Sequence, residues 1–236
     1  METFRSLLKQ EFLPITHTIF RNSKLVSDKI YARGYFFRAN IEDIRTGGRC
    51  TNKIIPTRYK DAGANGMQNS DYRCLDQIFG AVPLRNDDVY VDVGCGEGRT
   101  LTYHFARGFR GPAYGVELDP IYAEVAAHRT RKCETVKIVN DNILEQNEIV
   151  ASATAFFLFN SFNKDVLVQF LDMIERAHAT ELDFKDGVRL YYFCDYLRSE
   201  LEQRKGWIIL WRGMTVRKPW KDLPATIYEF RPNDCL

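Results

Sequence analysis

Several features are missing from this 236-residue sequence, and each absence removes a class of protein. The six cysteines form no CxxC pair and no histidine stands at metal-ligand spacing, which argues against a zinc site and a disulfide scaffold. No window approaches the ~18 to 20 uninterrupted apolar residues that a membrane span needs. Glu2, Lys9 and Glu11 interrupt the first segment, which is therefore not expected to be a secretory signal. We expect a soluble, cytoplasmic chain with reduced thiols and no bound metal.

The net charge is only +2, but it is unevenly distributed. Residues 1–65 carry 12 Lys+Arg and 6 Asp+Glu, whereas the remainder carries 21 and 25. Two interpretations stay open: the basic segment docks on the acidic body, or it faces an anionic substrate. A strong nucleic-acid signal, which needs a domain pI above ~9 and clustered basic residues, is absent.

From about residue 72, helix and strand patterns alternate along the chain. Such alternation predicts right-handed crossovers and a doubly wound, mostly parallel α/β sheet that is covered on both faces. The last two predicted strands, "GWIILWRG" and "ATIYEFRP", have no helix between them that is long enough for a crossover. They are predicted to be antiparallel to each other, which a plain nicotinamide-binding domain does not require.

The first 65 residues are less regular. We predict an amphipathic helix over residues 3–12, a short strand or hairpin arm over residues 34–41, and a Gly/Asn-rich loop over residues 61–70. The loop is typical of a domain boundary or a mobile lid. We therefore divide the chain into an N-terminal extension, residues 1–65, that covers the substrate pocket, and a main domain, residues 66–236.

The stretch "VDVGCGEG" places Gly94, Gly96 and Gly98 directly after a predicted strand. A dinucleotide fingerprint needs G-x-G-x-x-G, but Arg99 stands where the third glycine belongs, and no Walker lysine follows. Asp92 at the strand end would repel a pyrophosphate and would suit an ammonium group. S-adenosylmethionine (SAM) carries an ammonium and a sulfonium and has no phosphate, so the loop favours SAM.

Two further segments fit a nucleoside. Glu117 ends the next predicted strand, where a carboxylate can accept hydrogen bonds from both ribose hydroxyls. After the third strand, Asp141 or Asn142 can accept from an adenine amino group, while Leu118 and Ile143 can enclose the ring. Nicotinamide enzymes also have an acidic residue at the position of Glu117, so this residue alone does not distinguish SAM from NAD. The prediction of SAM depends on the order and spacing of the glycine loop, Glu117 and residues 141–143.

Together, "VDVGCGEG", "GVELDP", "NDNIL" and "AFFLFNSF" resemble the motifs of class I SAM-dependent methyltransferases, and the resemblance covers residues 72–230. It implies a seven-stranded sheet with an antiparallel C-terminal strand pair, SAM as the methyl donor, and adenosine across the carboxyl ends of the first strands. The cofactor-binding residues that it implies are Asp92, Gly94, Cys95, Gly96, Gly98, Glu117, Leu118, Asp141, Asn142 and Ile143. Cys95 has no partner histidine and fits better as a small loop residue than as a nucleophile.

The predicted catalytic residues are Asn160 and Asp195. Asn160 follows the fourth strand and can orient an amine lone pair, but "FNSF" departs from the Asn-Pro-Pro-aromatic motif and comes nearer to the Asn-Asn-Phe signature of non-SET lysine methyltransferases. Asp195 follows the fifth strand and can act as a general base or as a helix cap. The predicted substrate-binding residues are Arg58, Tyr59, Phe159 and Phe162.

These features predict a SAM-dependent methyltransferase that acts on a nitrogen or oxygen atom of a small molecule, a sugar precursor or a protein amine. Protein-lysine N-methylation and a non-catalytic SAM-binding module stay open as alternatives. The missing third glycine and the antiparallel ending disfavour a nicotinamide oxidoreductase.

Overall fold

The computed structural model describes residues 25–179, 187–217 and 220–232. Seven strands form one sheet, and their bounds are β1 Tyr90–Val93, β2 Ala113–Glu117, β3 Val136–Asn140, β4 Ala155–Phe159, β5 Val188–Phe193, β6 Trp207–Thr215 and β7 Leu223–Phe230. The α-helices are α1 over residues 25–46, α2 Tyr72–Ala81, α3 Arg99–Ala106, α4 Pro120–Thr130, α5 Asn147–Ser152, α6 Lys164–His178 and α7 Ser199–Glu202. Short 3-10 helices span Lys60–Ala62 and Ile143–Glu145.

The strand order is β3-β2-β1-β4-β5-β7-β6. The first five strands pair in parallel, whereas β7 is antiparallel to both β5 and β6. The predicted α/β class and the antiparallel C-terminal pair are therefore confirmed. Strands β2 and β3 are added on one side of β1 and strands β4 and β5 on the other, so the strand order reverses between β1 and β4. The crevice above such a switch point is where open α/β sheets bind ligands.

Successive residues of the central strands point to opposite faces of the sheet, as strand geometry requires. Phe157 and Tyr191 pack with α2 and α3 on one face, and Phe156 and Leu190 pack with α5, α6 and α7 on the other. Both faces are buried, which explains why these strands are apolar at nearly every position. None of the helices in the described part of the chain combines the length and apolar character that a membrane crossing requires.

The prediction of a strand over residues 34–41 is wrong, because this segment belongs to helix α1. Its aromatic run favours a strand, but the residues that pack on the body recur every fourth position: Tyr35 is half-buried, and Ala39 and Asp43 are buried. The predicted helix over residues 3–12 lies outside the described residues.

Helix α1 is held to the body through Asp43. The Asp43 carboxylate accepts two hydrogen bonds from Arg99 of α3 and one from the Tyr72 hydroxyl, and it lies 3.8 Å from Arg129 of α4. Arg129 also donates to the Gly48 carbonyl. Helix α1 thus docks on the body through an acid of its own and basic residues of α3 and α4.

Candidate functional site

A cleft of about 1010 Å³, its open mouth included, lies above the carboxyl ends of β1, β2, β3 and β4. Residues 56–70, which we call the roof segment, supply its opposite wall. Thr51 N and the Asn69 side chain both donate to Glu97 Oε2 in the glycine loop, at 2.7 Å and 2.6 Å. The predicted 61–70 loop therefore lies against the cleft, with Met67 and Asn69 among the lining residues.

The glycine loop turns tightly between β1 and α3. Gly94, Gly96 and Gly98 have φ angles of 72°, 53° and 75°, which glycine adopts without the steric penalty of a Cβ. A Cβ on Gly94 would lie 2.8 Å from the Ser161 hydroxyl oxygen, so glycine also provides space there. The N–H groups of Gly94 and Cys95 both donate to the Val116 carbonyl, which fixes the loop on β2.

Asp92 and Glu117 face the cleft from the ends of β1 and β2. Asp92 is buried and accepts a hydrogen bond from the Thr100 hydroxyl. Burial raises the pKa of Asp92 well above its usual value, and the nearby Glu117 carboxylate raises it further. Burial also raises the pKa of Glu117, against the lowering effect of N–H donors from Asp119 and Gly96. Two neighbouring carboxylates, one buried and one half-buried, favour a cation beside them.

The other predicted nucleoside residues line the same cleft. Ile143 is buried and Leu118 is half-buried. Asn142 caps the short Ile143–Glu145 helix through its side-chain oxygen, and Asp141 accepts from Gln146. The structure therefore brings all three predicted motifs to one surface.

Cys95 lies in the cleft wall but is buried, and burial raises the pKa of its thiol well above the usual value. A Cβ on Gly115 of β2 would lie 2.9 Å from the Cys95 sulfur, so the side chain fills a tight space between loop and sheet. This packing fits a small structural residue.

Asn160 has a left-handed backbone, with φ at 46°. The roof segment holds it there: Asn65 Nδ2 donates to the carbonyls of Asn160 and Phe162, each at 2.8 Å, and lies 3.4 Å from Asn160 Oδ1. Ser161 and Phe162 line the cleft, whereas Asn160 lies behind them. Ser161 donates to the Val93 carbonyl at 2.7 Å and so joins this turn to the end of β1.

Aromatic side chains line the part of the cleft nearest β4. Phe159 stacks on Phe193 of β5, with ring centroids 4.4 Å apart, and Phe162 meets Phe170 of α6 edge to face at 5.6 Å. Tyr59 of the roof segment lines the cleft as well. Tyr59, Phe159 and Phe162 were predicted from the sequence as substrate-binding residues. Ser161 and Asn65 were not predicted as site residues.

Five predicted residues lie outside the cleft lining: Gly96 and Gly98 of the glycine loop, Asn160, Arg58 and Asp195. Arg58 donates to both carboxylate oxygens of Asp119, at 3.0 Å and 3.1 Å, so it holds the roof segment to the start of α4. Asp195 is buried beyond β5 and accepts from the Thr226 hydroxyl of β7, while its second oxygen has no hydrogen-bond partner among the described residues. Asp195 does not cap α7, whose N-cap is Arg198.

The charge of the cleft is strongly one-sided. Among the described residues that line it, four are acidic, namely Asp92, Glu117, Asp119 and Asp141, and one is basic, namely Arg99. Arg99 and Asp119 are both already in ion pairs, with Asp43 and with Arg58, so the excess of lining carboxylates consists of Asp92, Glu117 and Asp141. A pyrophosphate would meet repulsion here, whereas a cationic ligand without phosphate would be attracted.

No protein-family model and no curated protein matches this chain. Solved structures do. TrmN from Thermus thermophilus is 13% identical with a TM-score of 0.52, over 66% of this chain and 48% of that one. A protein assigned as an rRNA methylase from Clostridium thermocellum is 13% identical with a TM-score of 0.52, over 70% of this chain and 99% of that one. Precorrin-6Y C5,15-methyltransferase from Geobacter metallireducens is 16% identical with a TM-score of 0.51, over 70% and 89%.

The chain has the class I methyltransferase fold. Identities of 13% to 16% carry the architecture alone, so the roles of individual residues depend on the geometry described above.

Proposed function

We propose that this protein is a SAM-dependent methyltransferase. The observation that carries the proposal is the acid-lined cleft at the switch point between β1 and β4, into which three separate segments bring residues suited to SAM. SAM supplies an electrophilic methyl group on a sulfonium, and its two cationic centres match the excess of carboxylates.

The lining residues divide into roles by their chemistry. Each oxygen of Glu117 accepts one backbone N–H and keeps a second lone pair, so the pair can accept the two ribose hydroxyls. Asp92 lies at the glycine loop and would attract the ammonium group. Leu118 and Ile143 would enclose the adenine, and Asp141 or Asn142 would accept its amino group.

Phe159, Ser161 and Phe162, which line the cleft where β4 ends, carry no ionisable side chain, and we take this part of the cleft as the acceptor end. Methyl transfer there depends on placing the acceptor in line with the sulfonium, and positioning alone can supply much of the rate. An acceptor nitrogen or oxygen would then react in an already neutral or deprotonated form. Asn160 would act from behind this surface, by shaping the loop or by reaching the acceptor after the roof segment moves.

We propose a larger set of acceptor classes than the sequence alone predicts. One similar structure is assigned as an rRNA methylase and another acts on precorrin-6Y, so this fold serves acceptors of unlike chemistry. We therefore include RNA beside small molecules, sugar precursors and protein amines. Incubating the protein with methyl-labelled SAM and separated RNA, protein and small-molecule fractions of a cell extract would identify the labelled class.

Calorimetric titration with SAM, S-adenosylhomocysteine and NAD tests the cofactor. We expect SAM and its product to bind and NAD not to bind. Glu117→Ala should weaken SAM binding by roughly 1 to 3 kcal/mol, because it removes charge-assisted hydrogen bonds. Glu124→Ala, an exposed acid on α4, is the matched control and should bind SAM like the wild type.

Binding of NAD without SAM would refute the proposal. Unchanged SAM affinity in Glu117→Ala would remove Glu117 from the site. SAM binding without label transfer to any fraction would leave the alternative of a non-catalytic SAM-binding module.

A further inference from the structure

Helix α1 has a second face that none of the other described parts of the chain covers. Val26, Ile30, Phe37 and Ile44 are 56%, 65%, 69% and 57% exposed. Their spacings of four, seven and seven residues place them in one row along the helix, which we call the apolar stripe. Exposed apolar rows of this kind mark interaction surfaces.

The charges of α1 are segregated around this stripe. The four basic residues are all exposed: Lys29, Arg33, Arg38 and Arg45. At 3.6 residues per turn, Lys29 and Arg33 lie on one side of the stripe and Arg38 and Arg45 on the other. The three acids lie toward the docked face: Asp28, Glu42 and Asp43, of which the last is buried.

This arrangement selects among the surfaces that can cover the stripe. A second copy of the chain would bring two sets of four like charges together, which is unfavourable. An anionic lipid surface accepts the apolar side chains at its boundary and attracts the bases on both flanks. We propose that α1 attaches this protein to an anionic membrane surface, with the apolar stripe inserted and the four basic residues against the headgroups.

Helix α1 is long enough to lie along a membrane surface. Its 22 described residues extend for about 33 Å, at ~1.5 Å per residue. The face toward the body keeps its ion pair between Asp43 and Arg99, so attachment requires no unfolding. The catalytic cleft is formed by other residues, and this inference is independent of the proposed methyl transfer.

Cosedimentation of the full chain with phosphatidylcholine vesicles, with and without about one third phosphatidylglycerol, tests the proposal. We expect binding to the anionic vesicles only, and weaker binding at high salt. Arg33→Gln with Arg38→Gln should weaken it roughly fivefold per residue. Ile30→Ser with Phe37→Ser should weaken it tenfold or more, because both side chains lose apolar contact.

Matched controls exist on other exposed surfaces. Ile209→Ser with Met214→Ser on β6, and Lys132→Gln with Lys205→Gln, should bind vesicles like the wild type. Circular dichroism of each variant would show that folding is retained.

Four results would overturn the inference, and three of them concern the wild type or the stripe variant. They are no sedimentation with anionic vesicles, equal sedimentation with neutral ones, and a wild-type dimer in gel filtration that the Ile30→Ser, Phe37→Ser variant abolishes. Equal loss in the stripe variant and the β6 control would also overturn it, since the effect would then be general.

Discussion

Arg99 donates two hydrogen bonds to the carboxylate of Asp43, from Nε at 3.1 Å and from Nη2 at 2.8 Å, and both side chains are buried. Arg99 is the residue that replaces the third glycine of a dinucleotide fingerprint. Its Nη1 also donates to the Ser70 carbonyl at the end of the roof segment. Through Arg99, helix α3 therefore binds both α1 and the roof segment. The two walls of the cleft are joined by these hydrogen bonds.

Asp43→Asn should lower the free energy of unfolding by about 3 to 5 kcal/mol, because it leaves buried guanidinium groups without their counter-charge. Urea denaturation followed by circular dichroism would measure the change. Arg107→Gln is the control: Arg107 pairs with Asp76 at the surface, and losing that pair should cost less than about 1 kcal/mol. Equal midpoints for the two variants would contradict a stabilising role for the Asp43 pair.

The sheet, and the meeting of the predicted cofactor-binding residues at one cleft, were predictable from the sequence. Strand and helix periods alternate from residue 72, and parallel strands end at one edge, so Asp92, Glu117 and Asp141 had to meet there. These features depend on local pattern and on the connection rules of parallel sheets.

The contacts that α1 and the roof segment make with the body were not predictable in the same way. Asp43 meets Arg99 across 56 positions and Asn65 meets Asn160 across 95, and neither contact leaves a periodic signal. The sequence showed that Arg99 replaces the third glycine of a dinucleotide fingerprint, but it did not show that Asp43 is the ion-pair partner of Arg99. In α1 the aromatic run favoured a strand locally, and docking of every fourth residue overrode that preference.

Gly94→Ala should destabilise the protein by about 2 to 5 kcal/mol and abolish SAM binding. A left-handed alanine costs about 1 to 2 kcal/mol, and the new Cβ 2.8 Å from the Ser161 hydroxyl adds about 1 to 3 kcal/mol of overpacking. Gly108→Ala isolates the first contribution, because Gly108 has φ at 94° and open space around it. Thermal unfolding and SAM titration of both variants measure how much more stability and SAM affinity Gly94→Ala loses than Gly108→Ala. Equal losses of stability would show that the contact with Ser161 has no effect.

Asn160→Gly should lower turnover at least tenfold, about 1.4 kcal/mol in the barrier, without weakening SAM binding. Glycine accepts the left-handed backbone, and the Asn160 carbonyl that binds Asn65 is retained, so only the side chain is lost. Label transfer from SAM into cell extract would report turnover. Cys194→Gly gives the backbone comparison, since Cys194 has the matching left-handed position after β5; it should lose stability, because its side chain is buried, but keep its turnover. Normal turnover in Asn160→Gly would assign Asn160 to the turn alone.

Asp92→Asn should stabilise the free protein near neutral pH while weakening SAM binding. Because burial raises the pKa of Asp92 above its unfolded value of about 3.9, the folded state favours the protonated form. Stability from this group is full below the unfolded pKa and is lost as pH rises through the folded pKa. Asparagine is neutral at every pH and can still accept from Thr100. The variant should therefore match the wild type in stability near pH 4 and be more stable than the wild type at pH 7 to 8.

Thermal unfolding at both pH values, paired with SAM calorimetry, measures the two effects of Asp92→Asn together. A gain of about 1 kcal/mol corresponds to roughly 2 to 4 °C in Tm for a chain of this size. Asp87→Asn, at an exposed position beside the sheet, should change neither stability nor affinity. If Asp92→Asn lost stability at neutral pH, the carboxylate would be structural. If Asp92→Asn gains stability and loses SAM affinity, the Asp92 carboxylate destabilises the free protein. Burial and repulsion by Glu117 cause that cost, and a bound cationic ligand would offset it.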